Sequence, residues 1–152
     1  MTDHIMRELA ADEAHLAAAA LLALRPHFAG EDAITAAVRR QMAQGYRLLA
    51  AFAPGDPAAA AVAGFRVVEY LAWGRALYVD DLSTREEHRR AGHARALLDE
   101  LMALAEREGC AQFHLDSGFG ASRANAHRLY YEVGLYPTSL HFSSRVPPTP
   151  RG

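Results

Sequence analysis

The chain opens on two helical patterns of apolar and polar positions. The first covers residues 12–24 and stops before Pro26; the second covers 31–44 and stops at Gly45. Acidic residues stand at the start of each, with Arg39 and Arg40 near the end of the second, the order that a helix dipole favours. Three runs of strand character follow at 46–53, 61–71 and 76–83, separated by Pro54-Gly55-Asp56-Pro57 and by a turn near Trp73-Gly74. Connections this short predict an antiparallel meander. Helical spacing returns over 90–108: Leu97, Leu98, Leu101, Leu104 and Ala105 share one face, charged residues take the others, and Gly109 stops the run. Residues 110–117 alternate as a strand, and the long helix before them makes that strand parallel to its predecessor. A last helix is expected from Ser122, a good N-cap, to Val133, then a closing strand over 138–146. The pattern as a whole predicts one α+β domain over residues 1–146 with a mixed central sheet, followed by a proline-rich tail at 147–152.

Composition narrows the function classes. With 152 residues, 51% of them hydrophobic, the chain suffices for one domain with a proper core. The formal charge of -2 gives no electrostatic footprint for nucleic acid. All 16 basic residues are Arg, and the absence of Lys excludes both a phosphate-loop nucleotidase and a Schiff-base enzyme. Cys110 is alone, which excludes an intrachain disulfide, and its apolar neighbours read it as a small core residue. The run at 15–24 follows Asp12 and Glu13 and is too short to span a bilayer, so no membrane partner and a cytoplasmic location are expected. None of the eight histidines has convincing metal-ligand spacing: His88 and His93 lie five apart across a turn, and His114 and His141 belong to separate strands. No metal is expected.

Chemistry concentrates at residues 83–109, where a strand runs through Arg89-Arg90-Ala91-Gly92-His93-Ala94 into the long helix. A helix start has unpaired N–H groups and partial positive charge, which suits a phosphate. Small residues at 91, 92 and 94 let those amides come close to an anion, and Arg89, Arg90 and Arg95 add charge. Taken alone, the same stretch also reads as a solvated arginine cluster on an ordinary helix. A dinucleotide fold fits neither the single glycine nor the antiparallel context.

The order of elements closely resembles the GNAT superfamily of acyl-CoA-dependent N-acyltransferases, over nearly the whole chain. Arg89, Gly92 and Ala94 satisfy its pattern of Gln or Arg, two residues, Gly, one residue, Gly or Ala. Ala126, Tyr130 and Gly134 match a second signature, although Arg123 stands where Asn is frequent, Leu135 replaces an aromatic, and Asn125, the sole Asn, lies two positions on. The resemblance implies two N-terminal helices, an antiparallel N-terminal meander and one parallel strand pair around a CoA-binding helix. It also implies acetyl-CoA as donor. The backbone of Leu82, Ser83 and Thr84 would pair with the pantetheine arm, and the amides of Arg89, Arg90, Ala91, Gly92, His93 and Ala94 would hold the pyrophosphate. A further CoA contact would fall to Arg123 or Asn125.

Transfer from a thioester to an amine needs a deprotonated amine, a stabilised oxyanion and a protonated leaving thiolate. By resemblance Tyr130 serves the last role; it also sits on an apolar helix face with Ala126, Leu129 and Val133, where a tyrosine packs. Asp80 and Asp81 are the acidic candidates for the amine. In a regular strand they point to opposite faces, so only one reaches the site unless a bulge intervenes. Two function classes stay open: an N-acetyltransferase acting on a primary amine in a ternary complex, and a non-catalytic acyl-CoA-binding module of the same fold. The acceptor carries no motif, and the exposed edge of the closing strand suggests a homodimer.

Overall fold

Alternation along one strand sets the layers. In β2 (Arg47–Phe52), Leu48 and Ala50 enter one apolar cluster while Leu49 and Ala51 enter another, as the two-residue period of a strand requires. A computed structural model of the chain describes residues 4–150. Its contacts group into two compact units, Met1–Leu115 and Asp116–Gly152.

The first unit carries a five-stranded mixed sheet in the order β1 (Ile5–Leu9), β2, β3 (Ala61–Tyr70), β4 (Gly74–Thr84), β5 (Gln112–Leu115). Neighbours are antiparallel from β1 to β4, and β4 with β5 is parallel. The expected meander and the expected parallel pair are both present, and the fold is α+β. On one face, Leu21 of α1 (Ala18–Leu24) and Ile34 and Val38 of α2 (Glu31–Met42) pack over Leu48, Ala50 and Val62. On the other, Leu97, Leu101 and Leu104 of α3 (His93–Arg107) pack over Leu49, Ala63, Phe65 and Leu77. Both clusters are largely Ala, Leu and Val, so the sheet is buried on both sides and reads as apolar runs more than as strict alternation.

Several boundaries differ from the sequence pattern. The first helical run is a 3-10 helix over Ala11–Ala17 before α1 begins. There the Leu16 carbonyl accepts from the Ala59 amide at 2.9 Å, tying the run to the loop after β2. β1 was not legible: of its five residues only Leu9 is buried, so it shows no alternation, and it exists by pairing with β2 from Ile5↔Phe52 to Leu9↔Leu48.

In the second unit, α4 (Ala124–Glu132) follows a 3-10 turn at Ala121–Arg123. Ser122 therefore sits inside that turn, and Arg123 occupies the cap without a side-chain cap bond. The closing strand expected over 138–146 does not form. A strand needs a partner to satisfy its backbone, and the described residues of this unit contain none; Leu140, Phe142 and Val146 are 66%, 88% and 96% exposed. The strand edge invoked for a homodimer is thus absent. Residues 1–3 and 151–152, the ends of the expected domain and tail, lie outside the described residues.

Arg47 clamps three elements of the first unit. It donates to Glu8 of β1 at 2.8 and 3.0 Å and to Glu108, just past α3, at 2.9 Å twice, with its guanidinium 4.9 Å from the Phe65 ring. The Arg47 hydrogen bonds hold the Glu108 carboxyl below its ordinary value of 4.5. A carboxyl depressed in the folded state adds stability above its unfolded value and loses it as pH falls through the folded one. Arg47→Gln should therefore cost about 1–3 kcal/mol at pH 7. The gap to wild type should shrink below pH 4.5, as read by urea unfolding along a pH series; a gap independent of pH would contradict the clamp.

Candidate active site

Both acidic candidates lie on β4, and one register fault decides where they point. Phe65 pairs with Val79 and Gly64 with Asp81, so Asp80 has no partner and forms a β-bulge. Val79 belongs to the cluster under α3. Regular alternation would send Asp80 to the opposite face and return Asp81 to the side of Val79. The extra residue resets that alternation, and Asp80 and Asp81 both line one cavity of about 390 Å³ between the sheet, α1 and α2. Leu21, Phe28, Ile34, Ala37 and Val38 supply its apolar wall.

Each carboxylate has its own arginine. Arg66 on β3 donates through Nε to Asp80 Oδ2 at 2.7 Å and through Nη2 to Gln41 Oε1 at 2.9 Å. Arg25, just past α1, donates through Nε to Asp81 Oδ1 at 2.9 Å and through Nη2 to the Asp80 carbonyl at 3.2 Å. The second Asp81 oxygen accepts from the Tyr46 hydroxyl at 2.7 Å. Tyr46 is buried, and its burial, reinforced by Asp81, holds the phenol well above the ordinary tyrosine range. It therefore remains a proton donor to Asp81. A Cβ at Gly64 would lie 1.7 Å from the Tyr46 hydroxyl oxygen, so the phenol crosses β3 where a side chain is missing.

Beyond the bulge, β4 changes partners. β3 follows it as far as Thr84, but β5 pairs only from Ala76↔Gln112 to Val79↔Leu115. Leu82, Ser83 and Thr84 thus stand on a stretch of β4 that β5 does not pair. A turn leads from there to α3, with positive φ at Arg90 (63°) and Gly92 (80°). Gly92 occupies the cap of α3 and no side chain caps it, so the first-turn amides face the turn without a protein side chain to receive them. Arg89, Arg90 and Ala91 are exposed there, and Ala94 is partly exposed.

His93 differs from its neighbours. Its side chain is buried, with Nδ1 3.0 Å from His4 Nδ1. Burial first, then the nearby His4 and His88 rings, push its pKa below the ordinary value. A neutral imidazole faces inward, and what His93 offers the turn is its backbone amide. Side-chain charge there comes from Arg89 and Arg90.

His88 and His114 are engaged in pairing and packing. His88 lies 3.3 Å from Asp56 Oδ2, which also receives Arg85 at 2.9 Å. His114 stacks on Trp73 with centroids 3.7 Å apart, as a satisfied structural histidine does. Among the described residues no group of three or more His, Cys, Asp or Glu is arranged around a metal position.

The second unit carries the remaining candidates. Ala126, Leu129, Tyr130 and Val133 are partly buried while Arg128, Tyr131 and Glu132 are exposed, so α4 has the expected apolar face with Tyr130 on it. Arg123 Nη2 lies 3.4 Å from Ser117 Oγ, and His127 Nε2 lies 3.0 Å from both Ser117 Oγ and the Gly118 carbonyl. Asn125 is exposed.

Sequence reasoning passed over Arg25, Tyr46, Gly64 and Arg66. Gly64 did carry a signal, because a lone glycine inside an apolar strand run marks a bulge or a close approach. The arginines carried none.

A family model described as "Acetyltransferase (GNAT) family" matches residues 9–135. No curated protein sequence matches the chain. Solved structures share its fold. A ribosomal-protein-alanine N-acetyltransferase from Brucella melitensis biovar Abortus 2308 superposes with a TM-score of 0.79 at 20% identity, covering 94% of this chain and 99% of that one. AAC(6')-Iy in complex with a bisubstrate analogue of CoA gives 0.76 at 15% identity over 95% and 98%. A glucosamine-6-phosphate N-acetyltransferase from Arabidopsis thaliana gives 0.72 at 14% over 95% and 99%.

The Gly64 contact is testable without any ligand. Gly64→Ala should destabilise the protein by about 3 kcal/mol, since the new methyl must displace a buried ring. In a Tyr46→Ala background the same change should cost at least about 1 kcal/mol less. Denaturant unfolding of the four proteins measures this coupling, and strict additivity would mean that the ring moves aside freely.

Proposed function

Since the chain belongs to the GNAT acetyltransferase family, we propose that it transfers an acetyl group from acetyl-CoA to a primary amine by direct attack in a ternary complex. The observation that carries this reading is the bulge at Asp80. It brings Asp81 onto the face that Asp80 already occupies, so that Asp81 with its partners frames Asp80 in the cavity at the point where β4 parts from β5, and the acceptor's place adjoins the strand edge that would receive the donor.

The residues present fit CoA. An extended amide arm pairs with an open strand edge, and here that edge is Leu82 to Thr84. A pyrophosphate seats on an uncapped helix start with small residues before it, and here that is the turn from Arg89 to Ala94. Arg123 or Asn125 would add a polar contact. Bound there, acetyl-CoA would supply the acetyl group as a thioester.

Asp80 is assigned to the amine. One of its oxygens accepts from Arg66, and no hydrogen bond reaches Oδ1 from the described residues. Asp81 has both oxygens engaged, so it holds the local geometry. The acceptor's ammonium loses one proton to Asp80, the amine nitrogen bonds the acetyl carbon, and the carbon–sulfur bond breaks. Tyr130, by its place in the second signature, gives its proton to the departing sulfur and is restored by the second proton that the acylated nitrogen sheds. No acyl-enzyme is invoked: Cys110 is partly buried against the core under α3.

Thiol release from acetyl-CoA over a panel of primary amines tests the reaction. Asp80→Asn should lower kcat/KM about 100-fold. Tyr130→Phe should lower kcat about tenfold or more with CoA affinity nearly unchanged, and unfolding by that change would favour a packing role. Gly92→Glu, which puts a carboxylate at a positive-φ cap, should abolish CoA binding in calorimetry. CoA binding with no thiol release from any amine would establish the non-catalytic module instead.

A further inference from the structure

Two carboxylates in an acceptor cavity suggest, on their own, a site for polycations. Their partners point the other way. Asp80 is paired with Arg66 at 2.7 Å and Asp81 with Arg25 at 2.9 Å, so two negative charges meet two positive ones. Of the neutral polar groups, the Tyr46 hydroxyl is committed to Asp81 and Gln41 Oε1 to Arg66, and the Gln41 amide N–H is a donor, which offers an ammonium nothing. What remains is an apolar wall in which Leu21, Ile34 and Val38 belong to the core itself, the exposed His27 ring, which adds no anion, and one carboxylate oxygen, Asp80 Oδ1, without a hydrogen bond from the described residues.

From this balance we infer that the acceptor is a primary monoamine on an apolar body, and that Arg25 and Arg66 are specificity determinants that turn polycations away. The inference rests on the transferase reading above for its reaction, but its charge argument concerns binding alone. A single ammonium takes the open oxygen of Asp80, and the carbon skeleton lies against Leu21, Phe28 and Ile34. A second ammonium finds no unpaired anion in the cavity. It must either displace a guanidinium from its carboxylate or stand beside one, and like charges brought together in a partly desolvated site are disfavoured. Removing the arginines would unmask both carboxylates and reverse that selection.

The test compares 2-phenylethylamine with spermidine, as substrates in thiol release and as ligands of the CoA-loaded protein in calorimetry. Wild type should favour 2-phenylethylamine at least about tenfold in both measurements. In the double variant Arg25→Gln, Arg66→Gln that ratio should fall by about tenfold or more. Because Arg66 is partly buried, the single variant Arg25→Gln, at an exposed residue, is read as well and should move the ratio in the same direction. Spermidine turned over better than 2-phenylethylamine by wild type overturns the inference and leaves the transferase intact. So does an unchanged ratio in either variant with a wild-type circular dichroism spectrum. If 2-phenylethylamine binds in preference to spermidine but no thiol appears, the selectivity holds and the transferase reading fails. Failure of 2-phenylethylamine to bind at all overturns the inference.

Discussion

Tyr46 reaches Asp81 across the one place on β3 where a side chain is missing. Gly64 is paired with Asp81 on the neighbouring strand, and the phenol fills the space that any other residue there would take. The contact needs both partners on the same face of the sheet. That is true only because the bulge at Asp80 returns Asp81 to the face of Gly64. Missing side chain, buried phenol, extra residue and doubled carboxylates are therefore one device. Any one of them alone would be a defect: an unfilled gap, a buried hydroxyl without an acceptor, an interrupted ladder, or a pair of like charges. Together they satisfy each other, with Arg25 and Arg66 completing the charge balance from the rim.

The same fault in the ladder separates two kinds of surface along β4. Before it, β4 is held on both edges and serves as the middle of the core. After it, one edge leaves β5, and what that edge presents is peptide groups. The turn into α3 continues in the same manner, through uncapped amides, positive-φ backbone at Arg90 and Gly92, and a His93 side chain turned inward against His4. The cavity on the other side is lined by side chains of α1, α2, β4 and the segments that follow α1 and precede β2. Main chain on one side and side chains on the other is a division that follows from where pairing stops.

That division explains what was legible in the sequence. The meander, the parallel pair and the apolar face of α3 follow from periods of two and 3.6 that burial enforces, and they appear as read. The loop before α3 stood out for its small residues, and there the backbone takes a positive φ at Gly92 and leaves the helix start without a side-chain cap. β1 was not, since one buried residue in five makes no pattern. The strand expected over 138–146 failed for the opposite reason: its alternation is real, but alternation is necessary for a strand and a partner is what makes one. At the site, Asp80 and Asp81 stood out as charges in an apolar run. Their common direction did not, because register is a property of two strands.

The arginines mark the limit of reading a site from one chain segment. Arg25 meets Asp81 across 56 positions and Arg66 meets Asp80 across 14, and no spacing rule connects such pairs. Without them, two adjacent aspartates read as an anionic pocket. With them, each carboxylate faces a guanidinium group, and one Asp80 oxygen has no hydrogen bond from the described residues. The sign and count of charges in a site are set by which residues the fold brings together, so the acidic residues alone do not give its electrostatics. A donor seated on backbone is free of that problem, because every residue carries the same peptide group. An expectation about the donor therefore needs only a short motif, whereas one about the acceptor depends on the sheet, its bulge and the guanidinium groups folded around it.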